Sequence, residues 1–142
     1  MPYRIVVIGP DKPIYTERDA AEAITPGHVV KENAAGRFIK NTVAANPEVP
    51  PLVAVENTIF GGGLDDAYAV DSRVIAQHLR AGCEFMGLVA AGADAIAYDD
   101  PVTTAADGTL VVGTVANMIG RARLAVDNSG GATPARIRVL VK

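Results

Sequence analysis

Two histidines, one cysteine and sixteen carboxylates are the groups from which this chain would build acid–base, nucleophilic or metal chemistry. His28 and His78 form neither H-x-x-x-H nor H-E-x-x-H, the spacings that aim two imidazoles from one helix face at a metal. Cys83 stands alone, which rules out an intramolecular disulfide and any Cys-based zinc site. His78 and Cys83 flank the turn Arg80-Ala81-Gly82, within reach of a thiolate–imidazole pair. No orienting acid or oxyanion motif accompanies them, so the residue types favour Cys83 as a small half-buried core residue. Glu56 and Asp66 make an imaginable acid and base, as carboxylates do in any acidic β protein, and there is no G-x-S-x-G. Gly61-Gly62-Gly63 suggests a phosphate cradle, but no Lys-Ser/Thr follows and no G-x-G-x-x-G precedes a helix, so it reads as a loop. Asp65-Asp66 and Asp94 to Asp100 lack the twelve-residue ligand order of a calcium loop and read as turn-forming aspartates. Lys12, Lys31, Lys40 and Lys142 do not sit at a hairpin tip of the kind that carries a lipoyl or biotinyl group. The residues therefore predict no catalytic site, no metal and no cofactor.

The elements that would position any site read as β structure. Fourteen glycines and nine prolines punctuate the chain throughout, the spacing of a meandering all-β domain. Strands are expected at Tyr3 to Ile8, His28 to Glu32, Arg37 to Thr42, Leu52 to Glu56, Cys83 to Ala90, Ala95 to Tyr98, Leu110 to Val112 and Ile119 to Val126. Asn33-Ala34-Ala35-Gly36 is the turn that pairs the second of these with the third. Asp11 to Thr16 reads as an extended arm, and Glu17 to Ala23 as one short helix because Glu, Arg and Ala are good formers. Asn46 to Pro51 is a rigid, non-helical connection. Asp71 to Arg80 fits helical spacing at Val74, Ile75, His78 and Leu79, and also a strand, which is the preferred reading. The run Arg136 to Lys142 alternates cleanly, with Ile137, Val139 and Val141 on one face and two arginines on the other.

The chain has 142 residues, the length of one domain, and is long enough to bury a real core. It is 49% hydrophobic but only 5% aromatic, with no Trp, so that core must be aliphatic. A formal charge of −3 argues against binding nucleic acid through bulk charge. The apolar run Ile5 to Ile8 is too short for a signal peptide or a membrane span, so a protein made in the cytoplasm and not bound to membranes is expected.

One resemblance covers roughly Ile24 to Val141. Its residues are Arg80-Ala81-Gly82-Cys83-Glu84-Phe85-Met86, Ala91-Gly92-Ala93-Asp94-Ala95-Ile96, Asp100-Pro101-Val102, Ala106-Asp107-Gly108-Thr109-Leu110, Ile119-Gly120-Arg121-Ala122 and Arg136-Ile137-Arg138-Val139. Ile24-Thr25-Pro26-Gly27 to Lys31 and Val55-Glu56-Asn57 through Asp65-Asp66-Ala67-Tyr68 extend it into the first half. This punctuation of turns and strands resembles the head decoration (cement) proteins of tailed bacteriophages. The resemblance implies a small β-barrel or jelly-roll-like sandwich on the outer capsid surface of a virion. It also implies the major capsid protein of the same phage as partner, and no enzyme activity.

From these readings follow an N-terminal strand and arm over residues 1–23 and a single β domain over 24–142. A dimer or trimer is expected, because clustering multiplies contacts. Tyr3 to Ile8 is apolar on both faces and needs cover on both, while Pro10 and Pro13 stop it continuing. Tyr3, Ile5, Val7, Pro10, Pro13 and Tyr15 are accordingly the expected partner contacts. The other readings are a small ligand-binding β-barrel, for instance for a sugar, and a small β enzyme using Cys83 and His78.

Overall fold

A computed structural model describes residues 4–9, 12–41, 51–105 and 107–142. Among them eleven strands follow in chain order. They are β1 (Val6–Ile8), β2 (Ile14–Asp19), β3 (Val30–Glu32), β4 (Phe38–Lys40), β5 (Leu52–Ala54), β6 (Arg73–His78), β7 (Glu84–Val89), β8 (Pro101–Thr104), β9 (Leu110–Val112), β10 (Gly120–Ala122) and β11 (Ala135–Val141). The only helical element among these residues is a 3-10 turn, Thr58–Phe60. The all-β expectation holds.

The short helix expected at Glu17 to Ala23 does not form. Glu17, Arg18 and Asp19 end β2 and pair with Ile75, Val74 and Arg73 of β6, and Ala20 bridges to Phe38. Helix propensity is worth tenths of a kcal/mol per residue, and a sheet that must cover an apolar face outweighs it. The same strand absorbs the second half of the expected arm, since Ile14, Tyr15 and Thr16 pair with His78, Gln77 and Ala76. The strand reading of Asp71 to Arg80 holds as β6. Ala95 to Tyr98 contracts to a single bridge between Ile96 and Val126.

Three sheets result, of order β1-β7-β11-β10-β8-β9, β2-β6-β5 and β3-β4, all with antiparallel ladders. The middle sheet separates two cores. Along β5 and β6, Leu52, Ala54, Val74 and Ala76 turn to one, and Val53 and Ile75 turn to the other. The larger core lies against the six-stranded sheet and holds Phe85, Val89, Val102, Leu110, Ile137, Val139 and Val141. The smaller core lies under the β3–β4 hairpin and holds Ile24, Val30, Phe38 and Tyr68. Single bridges, Ala20 to Phe38 and Val29 to Val53, fasten the hairpin to the middle sheet. The six-stranded sheet stays open at β1 and β9, so the architecture is sandwich-like and not a closed barrel.

Two polar devices lock the layers. Arg136 of β11 donates to the carbonyls of Pro26 (2.6 Å) and Leu64 (2.5 Å) and pairs with Asp65 at 3.0 Å. Gly27 makes that approach possible: it has φ of 100°, and a Cβ there would stand 2.3 Å from the Arg136 guanidinium. Beside it, His28 Nδ1 accepts the Thr25 N–H at 3.0 Å, which requires an unprotonated Nδ1. Burial first, then the positive charge of Lys40, pulls the imidazole from 6.5 to about 4; Asp107 opposes and Arg136 adds to the depression.

Two expectations follow for stability. Phe38→Ala removes the largest fully buried side chain of the smaller core, and should cost about 3–5 kcal/mol in a denaturant titration. For His28, the unfolded chain takes up a proton near 6.5 and the folded chain only near 4. The stabilisation is complete above pH 6.5 and is lost as pH falls toward 4, on the order of 3 kcal/mol in all. Melting curves from pH 7 to 4 should show this slope, and His28→Gln should flatten it by one proton.

Candidate functional site

A concavity opens between β1 of the six-stranded sheet and β2 of the middle sheet. It is a groove of about 650 Å³. Arg4, Val6, Val7 and Gly9 form one wall, along β1. Pro13, Tyr15 and Glu17 form the other, along β2. Val55, the residue after β5, and Ile75 and Gln77 of β6 also line it, and Glu56, Thr58 and Ile59 close one end. Both walls are edge strands, β1 of the six-stranded sheet and β2 of the middle one. Sheet edges keep unpaired backbone groups and serve as places of strand addition.

The apolar character of the first strand explains the opening. Ile5 is wholly buried in the larger core, and its N–H donates to the Glu56 carboxylate at 3.0 Å. Beyond it the cover runs out: Val7 in one wall and Tyr15 in the other are exposed, as are Ile8 and Ile14 outside the lining. The turn after Glu56 adds Ile59 and Phe60, which are 71% and 85% exposed. Arg4 and Glu17 stand at the rim, and neither side chain has an ion-pair partner among the described residues.

Of the six expected contact residues, the structure brings Val7, Pro13 and Tyr15 together around this groove. Ile5 is withdrawn into the core and is unavailable to a partner. Tyr3 and Pro10 lie outside the described residues. Instead of reaching off the domain, residues 4–9 and 14–19 lie on it, held by β7 and β6. Ile59, Phe60, Arg4 and Glu17 were not singled out by their sequence. The one available signal was an Ile-Phe pair directly before three glycines, two large apolar residues in a turn with no alternation to bury them.

Of the residues weighed for chemistry, Glu56 lines the groove, where it accepts the Ile5 N–H, and the others are engaged elsewhere. The three glycine N–H groups point back into their own loop: Gly61 to Thr58 O (3.3 Å), Gly62 to Asn57 O (2.8 Å) and Gly63 to Asp66 Oδ2 (2.7 Å). They make no phosphate cradle. Asp66 is thus a turn acceptor, and Asp65 serves Arg136. Asp100 accepts from the Ala97 N–H and Asp99 pairs with Arg123, as turn aspartates do. Cys83 is buried in the larger core, while His78 hydrogen-bonds Thr16 across β2 and β6 at 2.8 Å. Tyr68, a possible stacking residue, is buried with its hydroxyl on Val55 O, and burial pushes its phenol up to about 12. The groove holds one aromatic among its lining residues, Tyr15, where a sugar cleft would use several stacked rings.

No family model matches the chain, and no curated protein matches it. Among solved structures, the fold is similar to that of the N base of head fiber gp8.5 in bacteriophage phi29, determined by crystallography. The superposition has a TM-score of 0.57 and covers 92% of this chain and 95% of that one, at 12% sequence identity. The likeness extends over nearly the whole of both chains, and at that identity it is a likeness of fold.

Proposed function

We propose that this chain is a structural protein of a phage head, seated on the outer capsid surface, where it stabilises contacts between major capsid subunits. The observation that carries the reading is the fold likeness to a phage head fiber base over almost the full length of both chains. The turn-and-strand resemblance to head decoration proteins points the same way from the sequence. The physics is that of linkage: a protein that binds only the assembled lattice shifts the equilibrium toward that lattice. On this reading the chain acts as a dimer or trimer, is not an enzyme, and needs no cofactor, nucleic acid or membrane. The commitment of Cys83 to the core and of His78 to Thr16 supports the non-enzymatic part.

Co-sedimentation with intact heads of the phage that encodes the chain tests the proposal. Saturable binding, together with heads that withstand higher temperature before releasing DNA, is the expected result. Absence from the pelleted heads at concentrations far above those of a specific interface would overturn it. The enzymatic alternative has its own check. Native Cys83 should react with a thiol reagent only as fast as the protein unfolds, whereas a fast native reaction would revive a nucleophilic role.

A further inference from the structure

We propose that the groove between β1 and β2 is the seat of a second copy of this chain. In this twofold pair, the Ile59-Phe60 turn of each protomer docks into the groove of the other. The proposal deepens the functional reading by naming the surface through which copies associate on the shell. It stands on three observations.

The first is uncovered apolar area. Ile59, Tyr15 and Val7 line one opening and are 71%, 54% and 37% exposed, and Phe60, next to Ile59 in the same turn but outside the lining, is 85% exposed. With aromatics offering roughly 150–250 Å² each and aliphatics somewhat less, they leave on the order of 500 Å² bare. That matches the largest patches of ordinary monomers, which are often functional. It also supplies more than half of the about 800 Å² per partner that a stable interface uses.

The second is shape. A twofold interface needs one patch that is complementary to itself, in which residue i meets j and j meets i. This patch carries a projection, Ile59-Phe60, beside a recess of about 650 Å³. Rotation by half a turn puts each projection at the other recess. A patch made only of projections, or only of hollows, offers no such exchange.

The third is charge. The rim carries Arg4 on the β1 side and Glu17 on the β2 side, each without an ion-pair partner in its own chain among the described residues. A rim of both signs repels a copy less than a rim of one sign, and two reciprocal Arg4–Glu17 pairs satisfy both charges across the twofold. Rim charges of this kind set register and partner choice more than affinity.

Sedimentation equilibrium of the full chain, with no heads present, reads the outcome. The wild type should dimerise. Phe60→Asp, at a position too exposed to carry the fold, should weaken the dimer by roughly thirtyfold or more, as loss of a central aromatic anchor does. Its melting temperature and circular dichroism should stay those of the wild type. Arg4→Glu and Glu17→Arg should each weaken self-association, and the double variant should recover it. A wild type that stays monomeric at high micromolar concentration overturns the proposal. So does a Phe60→Asp protein that dimerises normally, or a charge-swapped double variant no better than either single one. If Phe60→Asp loses head binding while self-association is unchanged, the groove serves the capsid and the proposal is also wrong. Head binding of the wild type is scored separately, so a dimer that ignores heads sinks the functional reading and leaves this one standing.

Discussion

The three-stranded sheet β2-β6-β5 has apolar side chains on both faces, and the rest of the architecture answers that constraint. A sheet buried on one side needs one covering layer, while this one needs two. The six-stranded sheet supplies the first, and the β3–β4 hairpin with Ile24 and Tyr68 supplies the second. With only 5% aromatics the chain fills both spaces with small and aliphatic residues. Ala54 and Ala76 on one face of the middle sheet let the hairpin come close enough for Phe38 to fill the gap. The cost falls at the N-terminal side, where the edge strands β1 and β2 keep exposed apolar residues that no other described residue covers.

Packing alone does not hold the layers in register, because apolar contacts are non-directional. Arg136 and His28 provide direction. One guanidinium ties β11 to two separate turns, and one neutral imidazole fixes the turn leading into β3. Arg136 Nε is buried without a partner, so this clamp runs with one donor unsatisfied. A lysine at position 136 could not reproduce the fork that reaches both carbonyls.

The sequence was most legible where one face is buried and the other is wet. Arg136 to Lys142 alternates, and β11 buries Ile137, Val139 and Val141 as that alternation demands. Asn33 to Gly36 carries turn residues, and the flanking strands pair Val30 with Lys40 as a hairpin around it. Legibility failed where a strand is buried twice. β6 turns Val74 and Ala76 to one core and Ile75 to the other, so its apolar run shows no period of two and fits helical spacing equally well. It failed again at Glu17 to Ala23, where local propensity was overruled by pairing with a strand nearly sixty residues away. For the groove, Val7, Pro13 and Tyr15 were readable as an apolar segment without alternation. Ile59, Arg4 and Glu17 join them only through the fold, which brings together segments from 4–17 and 55–77.

The position of β11 has a consequence for how the chain is made. Residues 135–141 occupy an interior place in the six-stranded sheet, with β7 on one side and β10 on the other. During synthesis, the two-stranded ribbon of β1 and β7 and the three strands ordered β10-β8-β9 have no ladder between them until β11 has left the ribosome to bridge them. A ribbon of that size is marginal in water and keeps a bare edge exposed throughout. The larger core therefore closes in one late step across long sequence separations, the slow kind of folding. Until then the growing chain depends on the smaller core, whose residues all precede 77, to keep it compact.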